Sequence, residues 1–158
     1  MRASTKGDLA TVETLLAAGA DPNLREPDEN NSALIMAAQQ GNLTVITTLL
    51  DHGVDVNDAG GTWSTLHNAA KSNNTADAVR MLLDAGADLE CKTFSGQTPL
   101  HYASRYGRDE ALLALLMRGA DPNARDSDGS TALHVATEDQ EMMDETVDLL
   151  LRWGASEQ

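Results

Sequence analysis

GQTPLHYASRYGRDEALLALLMRGADPNARD, residues 96–126, decides how this chain folds. It sets a histidine among hydroxyls, which invites a catalytic reading, and then runs through leucines to a glycine. An active site occurs once, whereas this stretch returns. STLHNAAKSNN begins at Ser64 and STALHVATEDQ at Ser130, while SALIMAAQQGN at Ser32 keeps the shape without the histidine. The Gly that follows the leucines recurs as Gly19, Gly53, Gly86, Gly119 and Gly154, at steps of 34, 33, 33 and 35 residues. A period near 33 marks a building unit, not a reaction centre.

Composition narrows the class. Of 158 residues, 41% are hydrophobic but only 3% aromatic, so Leu and Ala must build the core. That favours close-packed helices over a sandwich rich in aromatic and β-branched residues. A formal charge of −14 opposes nucleic acid and anionic membrane surfaces as partners, since both are bound through Lys and Arg. No apolar run approaches the ~20 residues of a membrane-spanning helix. The lone Cys91 cannot close an internal disulfide, so a reducing compartment, cytoplasm or nucleus, is expected. Nothing in the chain calls for a cofactor, and a monomer is expected.

Each unit starts with an apolar residue and small ones at helical spacing: Leu34, Ala37 and Ala38; Leu66, Ala69 and Ala70; Leu100 and Ala103; Leu133 and Ala136. Alanine on one face lets neighbouring helices approach closely. Thr98-Pro99 and Thr131-Ala132 read as helix starts. After a break such as Gly41 or Gly107, a second stripe follows: Val12, Leu15 and Leu16; Ile46, Leu49 and Leu50; Val79, Leu82 and Leu83; Leu112, Leu115 and Leu116; Val147, Leu150 and Leu151. The glycine behind each stripe suits a C-terminal cap, and turn-formers such as NARDSDGS read as a finger. Two short helices cannot cover both stripes alone, so units must stack.

Residues 96–126 resemble the ankyrin repeat almost position for position, with STALHVA and STLHNAA as TPLH-type helix starts and GADPN as the exit into the finger. The resemblance implies an all-α solenoid of stacked helix–turn–helix units with β-turn fingers. One domain, 1–158, is expected, in five units near 1–24, 25–57, 58–90, 91–123 and 124–158. The first unit lacks its TPLH portion, which suggests a chain cut from a longer one. LREPDENN carries one extra residue and no glycine, and DAGGTW is one residue short. KSNNTADA gains one residue and EDQEMMDE gains two.

Candidate chemistry meets a plainer reading throughout. In the family, the histidines at His67, His101 and His134 would bond the neighbouring hydroxyl and nearby backbone, tying units together. A zinc site would need ligands within ~2.1 Å of one point, yet one ring per unit spaces them by about 8–10 Å. His52 suits a helix C-terminus. Asp77, Asp84, Glu110, Asp144, Glu145 and Asp148 lie beside second helices, off the apolar stripe, as a solvated face. No phosphate-binding glycine loop or nucleophile elbow is present, so no enzyme is expected. The resemblance also marks Asn23, Asn57 and Asn123 as positions that are hydroxylated in some ankyrin proteins, against a plain role in hydrogen bonding within the finger turn.

Ankyrin stacks usually bind proteins through finger tips and the exposed face of their first helices. That pattern selects Asp28, Glu29, Asn31, Gln39 and Gln40; Trp63, Lys71 and Ser72; Lys92, Phe94, Gln97, Arg105 and Tyr106; and Arg125, Ser127, Asp128, Ser130, Glu138 and Asp139. Trp63, Lys71, Lys92, Phe94, Arg105, Tyr106 and Arg125 stand out as cations and aromatics on an acidic body. The expected function is a non-catalytic protein-interaction module whose partner brings an apolar or aromatic group flanked by acids. The alternatives are an accessory recruiting domain of a larger enzyme or channel, or a small ankyrin-type kinase inhibitor.

Overall fold

A computed structural model describes residues 1–27, 30–61, 63–138 and 144–156, apart from the side chains of Glu138 and Asp144. Helices come in pairs along the chain. They are α1 (Arg2–Lys6) with α2 (Leu9–Ala17), α3 (Ala33–Gln40) with α4 (Leu43–Asp51), and α5 (Thr65–Lys71) with α6 (Ala76–Asp84). α7 (Pro99–Arg105) with α8 (Asp109–Met117) and α9 (Ala132–Glu138) with α10 (Asp144–Arg152) complete the set. First helices pack on first helices, α1 on α3 through to α9, and second helices pack on second helices in a parallel row. The fold is therefore a stack of helix pairs, as the repeat demands.

The alanines explain the close row of first helices. Ala37, Ala38, Ala69, Ala70 and Ala103 are fully buried and Ala136 nearly so, each offering only a methyl to its neighbour. Larger residues fill the second layer: Ile46, Leu49, Val79, Leu82, Leu112, Leu115 and Leu150 are all buried. Leu15, assigned to the same stripe by sequence, is instead exposed. It stands at the first unit, where Val12, Leu16, Pro22 and Leu24 surround an apolar hollow of about 190 Å³.

Fingers join successive pairs. Among the described residues only one forms strands: β1 (Ala59–Gly60) pairs antiparallel with β2 (Trp63–Ser64). Elsewhere a single rung suffices, as in Thr93 N–H to the Gln97 carbonyl (3.0 Å) and Asp126 N–H to the Ser130 carbonyl (3.0 Å). The finger that lacks glycine puts Asn30 in the left-handed region, at φ 57°, and the extra residue of the third unit puts Asn74 there, at φ 55°. Asparagine is one of the few side chains that tolerates this conformation, so each irregularity is absorbed locally.

Polar ties run from one unit to the next. Asn42 donates to the Ser4 carbonyl (2.6 Å), and Arg108 Nε donates to the Lys71 carbonyl (3.0 Å). Both residues follow the glycine of an inter-helix turn, and both donate to carbonyls in the last turn of a preceding first helix. Arg25 pairs with Asp58 between fingers, and Ser127 N–H donates to the Ser95 carbonyl at 2.9 Å. No helix among the described residues is long and apolar enough to cross a membrane.

Candidate functional site

The histidines are staples. His101 is buried, and its Nε2 lies 3.0 Å from the Ser130 carbonyl of the following unit, so Nε2 carries the proton. Nδ1 is then the acceptor, receiving Thr98 N–H (3.2 Å) and the Thr98 hydroxyl (2.9 Å). His67 repeats this with Ser64 on Nδ1 and the Gln97 carbonyl on Nε2, 3.0 Å away. His134 bonds Thr131 through Nδ1, but among the described residues its Nε2 meets no acceptor. Burial holds the pKa of His67 and of His101 below the ordinary value, against the opposing pull of the carbonyls they donate to. Both rings are therefore neutral structural donors near neutral pH.

Cys91 comes closest to a reactive group. Its Sγ is 3.2 Å from Ser64 Oγ and 3.6 Å from His67 Nδ1, a serine, a histidine and a thiol together. Burial pushes the thiol pKa up to about 11, so it stays protonated, and the His67 lone pair is shared with Ser64 donors. The arrangement places a thiol in a half-buried seam and generates no nucleophile. No group of three or more His, Cys, Asp or Glu among the described residues is placed to hold a metal ion.

The side chains of Asn57 and Asn123 do something other than the turn bond expected of them. It is the preceding aspartate that closes each turn: Asp21, Asp55 and Asp121 accept from the backbone N–H of Asn23, Asn57 and Asn123, each at 2.9 Å. The side chains of Asn57 and Asn123 reach across to the next unit. Asn57 Nδ2 donates to the Gly86 carbonyl and its Oδ1 accepts from Asp88 N–H. Asn123 does the same with Gly154 and Ser156. An amide offers a donor and an acceptor at once, which bridging two backbone groups requires. Glu90 stands at the equivalent place between the fourth and third units and, lacking a donor, only accepts, from Asp121 N–H.

The exposed side of the first helices carries an aromatic row. Trp63, from β2, meets Tyr102 of α7 edge-on, with centroids 5.8 Å apart. Tyr102 stacks on Tyr106 at 6.4 Å and 28°, and His67 supports Tyr102 from beneath, edge-on at 5.3 Å. The row thus crosses the boundary between the third and fourth units. Cations cap both ends: Lys71 Nζ sits 3.8 Å from the Trp63 ring centroid and the Arg108 guanidinium 6.0 Å from that of Tyr106. Burial raises the Tyr102 pKa, with Trp63 and the charge of Arg105 pulling the other way.

The sequence-selected residues divide accordingly. Trp63, Lys71 and Tyr106 come together in this row, with Arg105 exposed beside it. Lys92, Phe94 and Arg125 are on the fingers. Phe94 is 88% exposed and staples nothing, Lys92 Nζ reaches the Arg125 carbonyl at 3.5 Å, and Arg125 holds the Gly129 carbonyl. Asn31 is buried and cannot line a groove. Gln39 is tied to Asn68, and Gln97 to Asp126. Asp28, Glu29 and Asp139 lie outside the described residues, as does the side chain of Glu138. Sequence reasoning missed Tyr102 and Arg108. The Tyr102–Tyr106 spacing of four, which puts both on one helix face, was the available signal.

With this geometry in view, the comparison with known families is decisive. The family described as ankyrin repeats (3 copies) matches residues 1–93 and again 66–157. The chain belongs to the ankyrin-repeat family, whose members are in general protein–protein interaction modules. Among curated proteins, no match is found.

Proposed function

We propose that this chain is a non-catalytic, monomeric module that grips a partner protein across the exposed side of α5 and α7 and the adjoining fingers. Trp63 and Tyr106 are the anchors, braced by the buried Tyr102, with Lys71, Arg105, Lys92, Phe94 and Arg125 around them. The observation that carries this reading is the aromatic row itself. Trp63 and Tyr106 keep ring surface in solvent on either side of the buried Tyr102, and such surface is favourable where something covers it. The single thiol suits work in the cytoplasm or nucleus. Self-repulsion at −14 suits a monomer.

The test is a quantitative pull-down with wild type and with Trp63→Ala/Tyr106→Ala, both checked for helical content. The double variant should lose specific partners by ~2 kcal/mol or more per anchor. Unchanged capture by a folded double variant would move the interface elsewhere.

A further inference from the structure

The fingers differ at one bridging position. Six residues after the capping glycine of a unit stand Arg25, Ala59, Lys92 and Arg125. Arg25 crosses to the following finger and pairs with Asp58, and Lys92 Nζ crosses to the Arg125 carbonyl at 3.5 Å. Ala59 carries only a methyl, so nothing at this position spans the seam between its finger and that of Lys92. Among the described residues no backbone hydrogen bond joins these two fingers either, whereas Ser127 N–H binds the Ser95 carbonyl at the next seam. A trough of about 400 Å³ opens between them instead, with Ala59 and Gly61 on one wall and Asp88, Cys91, Lys92 and Phe94 on the other.

What the trough still offers is acceptors, apolar surface and one ring. The amide of Asn57 and both nitrogens of His67, which also line it, are already bonded. The Lys92 carbonyl stands where the Arg125 carbonyl stands one finger later, and among the described residues it receives no donor. Asp88 is exposed and takes the Glu90 N–H on one oxygen, with no cation paired to it among the described residues. The Lys92 ammonium is turned to the next finger, and Phe94 leaves its ring 88% exposed at the rim. We propose that the trough seats an arginine of the partner, which supplies at this seam the bridging cation that Ala59 lacks. Its aliphatic stem would cover Ala59 and Cys91, and its guanidinium would be shared by the Lys92 carbonyl, the Asp88 carboxylate and the face of Phe94. A planar guanidinium can bond and stack at once, which a lysine ammonium does less well. The net charge of −14 draws such a side chain in. The seat rests on the interface proposed above, to which these fingers belong, and names the side chain that this part of it reads.

The experiment selects peptides from a displayed random library on the full chain and, in parallel, on Ala59→Arg, an exposed position from which the chain would fill its own trough. Wild type should select peptides enriched in Arg at one fixed position, and Ala59→Arg, folded by circular dichroism, should lose that enrichment. A synthetic consensus peptide should bind wild type at least tenfold more tightly than its Arg-to-citrulline version or a scramble of equal charge. It should also weaken several-fold on Asp88→Asn, which keeps an acceptor for Glu90 N–H, and on Phe94→Ala. Asp88→Asn decides the matter should Ala59→Arg fail to fold. Arg-free peptides abolished by Trp63→Ala/Tyr106→Ala would overturn the arginine seat while leaving the aromatic row. Arg-bearing peptides that bind the trough variants as tightly as wild type would overturn it too. Arg-dependent peptides indifferent to the two rings would uphold the seat and remove the row as an anchor. Absence of any selected peptide would sink both readings.

Discussion

Removing the His101 ring should cost far more than removing the His134 ring, although both stand at the same place in the repeat. Truncation of His101 to alanine breaks the bond to the Ser130 carbonyl, which keeps only Asp126 N–H, and leaves the backbone N–H and hydroxyl of buried Thr98 without their acceptor. Groups left unpaired in this way cost about 1–3 kcal/mol. The lost helix cap adds about 1 kcal/mol, and the void left by a ring only 1% exposed adds more. The expected loss is about 3–5 kcal/mol. His134→Ala takes the same acceptor from the equally buried Thr131 but breaks no bond to a following unit and empties only a half-buried site, about 1–2 kcal/mol. Urea unfolding followed by far-ultraviolet circular dichroism measures both variants against wild type through shifts in midpoint at constant slope. If the two losses agree within 1 kcal/mol, the bond across the unit boundary contributes nothing, and the staple account fails.

Acid should weaken the fold in a defined window. His67 and His101 have lowered pKa values in the fold, so below about pH 6.5 the unfolded chain binds protons that the native state refuses. Stability should fall with decreasing pH from there, by up to about 1.4 kcal/mol per unit for each ring, until the depressed folded values are reached. Urea midpoints at pH 7.5, 6.5 and 5.5 would show it, and a flat profile would contradict it. Gly96→Ala should destabilise by about 2–4 kcal/mol, since Gly96 has φ 75° and an added Cβ would lie 2.8 Å from the Ser127 backbone nitrogen. Thermal unfolding reads this loss. Cys91, with its thiol pushed up to about 11, should react with a disulfide reagent at pH 8 far more slowly in the native chain than in urea. Equal rates would mean that the seam around Ser64 and His67 is open.

Much of this was legible in the sequence because the repeat reports each decision several times. Leu66 and Ala69 alone could belong to any helix; the same Leu-x-x-Ala spacing four times over, at a fixed period, reads as a stack. The histidine staple was readable for the same reason. What escaped was whatever occurs once. Tyr102 occupies a position filled by Met36, Asn68 and Val135 in other units, so no pattern flagged it. Its importance comes from Trp63, 39 positions earlier, which only the finger's path brings within reach. The asparagine role was misread because Asp-x-Asn looks self-contained, whereas the amide points at backbone groups some 30 residues away. Leu15 failed as a core residue because a stripe is buried only where a neighbour lies against it.

The amide bridges and histidine bolts share a property that bears on how the molecule breathes. Each spans only one seam, so the array should open like a zip, outermost pairs loosening first while the centre holds. The strip from Trp63 to Tyr106 lies across one of the two central seams. Partner capture should therefore survive fraying that has already consumed the terminal helices.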